Sequence, residues 1–364
     1  MSHLFDPLDI GPVRVPNRIA IAPMCQYSAS DGCASDWHLQ HLPMLAMSGA
    51  GLVMVEMTGI ERAGRITHGC LGLYSDDNER ALARVLAAAK AVALPGTRFG
   101  IQIGHAGRKG SAHAPWNGGS ARAADDDSWP TVSASPIPFD DGWPAPAEAS
   151  DAQLDRIRAG FAVATRRAIN IGFDVIELHM AHGYLLHQFL SPLANQRLDR
   201  WADLMSFPLC VAEAVAAEVP DSAAWGARIT GSDWVEGGIT PQHAIALAHA
   251  LASSGASYVD VTSGAITPKV RVTVAPGYQV PFADEVKKAV PSIVVRAVGM
   301  IVDPTHADAI ISGGQADQIA VARAVLNNPR WGWHAADRLG IDLPRPPQYA
   351  RAAPNMWPGA AYAR

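Results

Sequence analysis

Short apolar, β-branched runs recur along the 364-residue chain, at Ile19–Met24, Leu52–Met57, Phe99–Ile103, Val175–Met180, Gly226–Thr230, Tyr258–Thr262, Ile293–Val298 and Gln318–Ala322. They are continuous rather than alternating, as a strand buried on both faces requires. Between most of them lie alanine-rich stretches with helical spacing. In Asp151–Asn170, Leu154, Ile157, Phe161 and Ala164 recur at intervals of three or four behind a capping Ser150. Glu79–Ala93, Leu209–Glu218, Pro241–Ser254 and Thr305–Ser312 read the same way. Strand alternating with helix implies a parallel α/β fold, and eight alternations favour a closed (β/α)8 barrel over an open doubly wound sheet. The chain reads as a single barrel domain over residues 1–364.

Two segments interrupt this alternation. Leu4–Arg18 reads as a turn-rich hairpin placed to plug the bottom of the barrel. His105–Ala149 is rich in Pro, Gly, Asp and Trp, and a loop of that length is commonly a lid or binding loop.

Composition narrows the classes further. With 49% hydrophobic and 17% charged residues the chain can bury a large core, and a formal net charge of −5 gives no reason to expect nucleic acid. Cys25, Cys33, Cys70 and Cys210 lack C-x-x-C spacing and suggest neither a disulfide framework nor a zinc cluster. The first twenty residues carry Pro7, Pro12 and Pro16 and do not read as a signal peptide. No run approaches the roughly 20 apolar residues a membrane helix needs. The expectation is a cytoplasmic protein.

Barrel enzymes place their chemistry at the C-terminal ends of the strands. There this chain carries Pro23-Met24-Cys25-Gln26-Tyr27, Gln102 leading to His105, His179-Met180-Ala181-His182-Gly183-Tyr184, Arg228, Gly299 and Arg323. A strand-terminal histidine is by itself more often structural; two of them three apart, followed by Gly183-Tyr184, say more. Arg228, inside a strand that should be buried, needs either a carboxylate or an electron-rich ligand. His38, His41, His179 and His182 would be the ligands of a metal-dependent barrel hydrolase. That alternative is weakened because the first two fall on a helix and no acidic residue accompanies the rim pair.

Taken in register, these residues resemble the Old Yellow Enzyme family of FMN-dependent ene-reductases, in its bacterial xenobiotic-reductase and thermophilic-like branch. The similar stretches are Asn17–Ile19, Ala22–Tyr27, Gly69–Asp76, Ile101–Lys109, Glu177–Tyr184, Ser191–Asn195 with Arg197, and Asp317–Pro329. The resemblance implies FMN as cofactor, with NADPH or NADH as hydride donor and an enone-type small molecule as substrate. It implies a ring site formed by Ala22, Pro23, Met24, Cys25, Met57, Gln102 and Arg228, and a phosphate site at Gly299, Ala322 and Arg323. It also implies that His179 and His182 hold the substrate oxygen, that Tyr184 donates a proton, and that Tyr27 binds substrate. Arg351 would reach into a neighbouring subunit's site of a homodimer or homotetramer.

Two departures from the family pattern stand out. Trp201-Ala202-Asp203-Leu204 replaces an aromatic-Gly-Gly-Ser stretch, and Ala322 replaces a glycine. A non-catalytic flavin-binding barrel is the reading that such departures would favour if they abolished turnover.

Overall fold

A computed structural model describes residues 2–362 of the chain. Twelve strands occur in it: β1 (Leu8–Ile10), β2 (Val13–Val15), β3 (Ile19–Ile21), β4 (Leu52–Gly59), β5 (Arg98–Gly104), β6 (Val132–Ser133), β7 (Ala147–Glu148), β8 (Val175–Met180), β9 (Ala224–Thr230), β10 (Tyr258–Thr262), β11 (Val294–Ala297) and β12 (Gln318–Val321). Eight of them close into a barrel in the order β3-β4-β5-β8-β9-β10-β11-β12 and back to β3. Every neighbouring pair in it is parallel. These are the eight apolar runs of the sequence.

Strand periodicity divides each run between two cores. Phe99, Ile101 and Ile103 of β5, Ile176 and Leu178 of β8, and Val259 and Val261 of β10 pack outward among the helices. Alternate residues point into the barrel. Its lower part is filled by Val175, Ala224 and Tyr258 together with Ile10, Val13 and Val15 of the antiparallel β1–β2 hairpin. The hairpin therefore closes the N-terminal end, as its sequence suggested.

The helix Asp151–Asn170 has the expected bounds, and Ser150 and Gln153 form a reciprocal capping box. Asp76–Val92 and Pro304–Ser312 begin earlier than their periodicity indicated. In each the cap decides: Ser75 and Asp303 accept from the amides of Asn78 and His306. Asp36–Ala46, Leu185–Leu190, Val280–Ala289, Arg323–Asn327 and Trp331–Leu339 are further helices. The segment after β5 contains the parallel β6–β7 pair. Arg197 ties it down by donating to the carbonyls of Ala134 and Ala149 at 3.1 and 2.9 Å. Among the described residues no helix is long and apolar enough to cross a membrane.

Candidate active site

The barrel interior is charged. Glu177 of β8 accepts from Gln102 Nε2 at 2.8 Å, from Arg296 Nη1 at 3.0 Å and from the Tyr258 hydroxyl at 3.0 Å. Arg296 also donates from Nε to Gln318 at 2.8 Å and lies 3.6 Å from Asp260. Its guanidinium stacks 4.4 Å over the Tyr258 ring. Glu177, Asp260 and Arg296 are fully buried, so these charges persist only because they face one another. Burial and Asp260 push the Glu177 carboxyl up, while Arg296 and Arg228 pull it back.

Arg228 of β9 caps this network. Its Nε lies 3.3 Å from Asp260 Oδ1 but outside hydrogen-bond geometry. The sequence demanded a carboxylate or a ligand for this arginine, and the structure supplies the carboxylate. Yet the guanidinium makes no hydrogen bond among the described residues. A planar five-donor group, nearly buried at the mouth of the barrel, suits an acceptor-rich ring edge. Gln102 spends one amide hydrogen on Glu177, leaving its carbonyl oxygen and second N–H for such a ring.

Two residues further along β8, the polar groups change character. His179 Nδ1 accepts from the amide of Ala181 at 3.3 Å, so its Nε2 carries the proton toward His182 Nδ1, 3.3 Å away. His182 Nε2 in turn lies 3.1 Å from the Thr262 hydroxyl, which donates to Gln279 at 3.0 Å. Burial first, then Arg228, holds both imidazoles well below the usual histidine range, so both are neutral. Expectation and geometry differ here. The two ring N–H groups follow one another along a chain, and a substrate oxygen must compete for them.

The Tyr184 ring stands 4.8 Å from that of His179, nearly perpendicular at 81°. Burial drives its phenol well above the usual range, so the hydroxyl keeps its proton. The turn that presents it is braced from behind. Gly183 N donates to His187 Nδ1 at 2.8 Å, and His187 Nε2 faces buried Asp233 at 3.1 Å. Asp233 also accepts from Ser191 at 2.9 Å and from Ile239 N at 2.8 Å. Sequence reasoning missed His187 and Asp233, although a histidine five residues after His182 on a largely apolar stretch was a visible signal.

Opposite these groups, a bulge shapes the wall. Glu56 and Met57 of β4 oppose the single residue Gln102 of β5, because Val55 pairs with Ile101 and Thr58 with Ile103. Bulges of this kind re-aim side chains beside active sites. Met57 thereby joins Ile66, Cys70, Ala106 and Ala112 in an apolar cluster that Cys25, Tyr27, Trp143 and Tyr184 complete. Burial raises the Cys25 thiol well above its usual range, which makes it a neutral packing group rather than a thiolate. Tyr27, with left-handed backbone at φ 48°, meets the exposed Trp116 of the long loop edge-on at 5.6 Å. The loop itself lines an open pocket of about 520 Å³ beside Arg108, Trp129 and Trp143.

At the other end, Gly299 takes φ +113°, where a side chain would be strained, and Ala322 lies at φ −113°. The replacement of glycine therefore brings no positive-φ penalty at Ala322. Arg323 is exposed at the start of the helix Arg323–Asn327. Trp201 is built into the scaffold: its indole donates to Asp151 at 2.6 Å and its carbonyl accepts from Asn195 at 3.0 Å. The helix Ser206–Ala216 that follows packs on Asp151–Asn170, so the departure around Trp201 leaves the α/β order intact. His38 uses Nδ1 to accept from Ser35 N and Nε2 to meet Glu56 at 3.2 Å, and His41 stacks on Trp37. Neither belongs to the rim. No three His, Cys, Asp or Glu residues are placed to hold a metal ion among the described residues. Arg351 is exposed in the turn Pro347–Ala352, where Tyr349 packs on Trp333.

A profile of the NADH:flavin oxidoreductase / NADH oxidase family matches residues 3–340. An NADH:flavin oxidoreductase of Gibberella zeae is 37% identical over 363 residues, covering 94% of this chain and 87% of that protein. An NADPH dehydrogenase of Geobacillus thermodenitrificans is 36% identical over 354 residues, covering 96% and 98%. Morphinone reductase superposes with a TM-score of 0.75 at 25% identity, over 95% of this chain and 92% of its own. A 2-naphthoyl-CoA reductase complex reaches 0.82 at 23% identity; the chain spans 52% of that protein, and the likeness is one of fold.

Proposed function

The chain belongs to the NADH:flavin oxidoreductase / NADH oxidase family, the Old Yellow Enzyme family, and from that premise we propose that it reduces the C=C bond of α,β-unsaturated carbonyl or nitro compounds. Membership makes it an FMN-dependent oxidoreductase served by a nicotinamide hydride donor. The observation that carries the finer reading is the rim itself. An unbonded guanidinium and a half-used amide, Arg228 and Gln102, lie beside a histidine pair and a protonated tyrosine.

The residues present fit FMN. Ala22–Cys25 and Met57 would flank its ring, Gln102 and Arg228 would meet the polar edge, and Gly299, Ala322 and Arg323 would hold the phosphate. FMN, when bound, would supply the hydride chemistry that links the nicotinamide to the substrate β-carbon. His179 and His182, neutral, donate N–H groups to the substrate oxygen and draw electron density from the double bond. Tyr184 gives its proton to the α-carbon, where the developing enolate is basic enough to take it from a phenol. Tyr27 and Trp116 close over the substrate.

The proposal extends to a cytoplasmic homodimer or homotetramer in which exposed Arg351 reaches the neighbouring rim. Purified protein from a flavin-sufficient host should be yellow, bleach with NADPH without oxygen, and regain colour on adding an enone. Colourless protein, or reduced flavin that no enone reoxidises, overturns the reading.

A further inference from the structure

Lys109 follows Arg108 in a turn that none of the roles above uses. Its ammonium donates to the carbonyls of His182 and Ala265 at 2.8 and 3.3 Å. It lies 4.5 Å from the centre of the Phe139 ring on one side and 5.1 Å from that of Tyr184 on the other. Two carbonyls and two aromatic faces cage this cation, and among the described residues no carboxylate pairs with it. A lysine serving only to tie the loop down would do so more cheaply through an acidic partner. This one is held, without neutralisation, over the ring that gives up a proton.

We propose that Lys109 is a positioning residue for the protonation step: its fixed positive charge stabilises the phenolate that Tyr184 becomes as its proton passes to the substrate. The step balances. The Tyr184 O–H bond breaks, a C–H bond forms at the α-carbon, the electron pair stays on the phenolate oxygen, and solvent returns the proton. The phenolate charge spreads over the ring that Lys109 faces. At about 5 Å, even with an effective dielectric constant of about 20, a unit charge is worth more than a factor of ten in such an equilibrium. This rests on Tyr184 being the proton donor.

The charge should also be switchable. Burial first, and then Arg108 alongside, brings the Lys109 ammonium down to about 7. Facing it are Arg108 on its own turn and His179, His182 and Tyr184 from the β8 end; Asp140 and Asp141 follow Phe139 in the chain, and Lys269 follows Ala265. Asp141 is engaged by Lys269 at 3.0 Å. Its contribution is present below pH 7, where the ammonium is charged, and is lost as the pH rises through that value.

The test follows the two half-reactions of the FMN-loaded enzyme separately by anaerobic stopped flow, with NADPH and then cyclohexenone. Lys109→Met should slow reoxidation at least tenfold at pH 6 while changing NADPH reduction less than twofold. The wild-type fall in reoxidation above pH 7 should vanish in that variant, and Lys109→Arg should keep the fast rate to higher pH. Equal losses in both half-reactions, or a loss confined to NADPH reduction, would make Lys109 a structural or coenzyme-anchoring residue and overturn the proposal. Tyr184→Phe keeps the two readings apart. If it is slow while Lys109→Met is not, only the lysine role fails; if it reoxidises at the wild-type rate, the donor assignment falls and takes the lysine role with it.

Discussion

Glu177 and His179 stand two residues apart on β8, yet they belong to two unlike polar clusters. Below, Glu177, Asp260, Arg296 and Arg228 meet charge with charge and leave no net excess. Above, His179, His182 and Tyr184 are kept neutral by burial, and Lys109, a cation against them, pairs with no carboxylate among the described residues. Charge balance suits a part that must hold its shape. Neutral donors and an unspent cation suit a part where charge develops during turnover. Backbone strain sorts the same way. Among the described residues, five of the eight non-glycine positions with positive φ (Tyr27, His182, Trp234, Ala265 and Met300) follow the C-terminal ends of barrel strands.

The largest effect should come from unbalancing the lower cluster. Glu177→Gln leaves Arg296 buried with a weakened partner, and urea unfolding should show a loss of about 3–5 kcal/mol. Replacing both residues together by methionine should recover much of it. A single-variant loss below about 1 kcal/mol would mean that the network is not what holds the barrel interior.

The upper cluster should respond in rate and not in stability. Tyr184→Phe should slow reoxidation by weak enones about 100-fold, roughly 2.7 kcal/mol on the barrier. Its unfolding should stay within about 1 kcal/mol of the parent. Arg228, which touches both clusters, should show both behaviours at reduced size. Arg228→Met should weaken FMN about tenfold in a fluorescence titration, about 1.4 kcal/mol, and lower the flavin reduction potential. An unchanged potential would place Arg228 wholly with the lower cluster.

The smallest effect asks whether burial alone keeps a histidine neutral here. His41 belongs to neither cluster, and burial, then His38, lowers its pKa to about 4. A depressed folded value means the unfolded chain binds the proton first. Stability is therefore complete above the unfolded value near 6.5 and is lost as the pH falls toward 4. Between pH 7 and 5.5 this group should contribute a loss of about 1 kcal/mol, read from urea midpoints and absent in His41→Phe.

Much of this was legible beforehand. Continuous apolar runs marked all eight barrel strands, because a parallel strand covered on both faces tolerates few polar positions. The rim residues His179, His182, Tyr184, Gln102 and Arg228 stood out as polar groups ending those runs. The bulge at Glu56-Met57 left no trace, since an extra residue is visible only against the register of its partner strand. Glu177, Asp260 and Arg296 were hidden inside their runs. Each is one polar residue flanked by apolar ones, and nothing local says that three strands will bring them together. The short helix Leu185–Leu190 was lost for a similar reason, as its six residues are buried and carry no amphipathic period.

The sequence by itself determined the alternation of elements, the closed barrel and the polar ends of its strands, because local periodicity and burial act over a few residues at a time. Tertiary structure alone decided that Arg228 meets Asp260, that His179 hands its hydrogen bond to His182, and that Lys109 lies over Tyr184. Those contacts join residues as far as 75 positions apart, and only the closure of the barrel sets their distances.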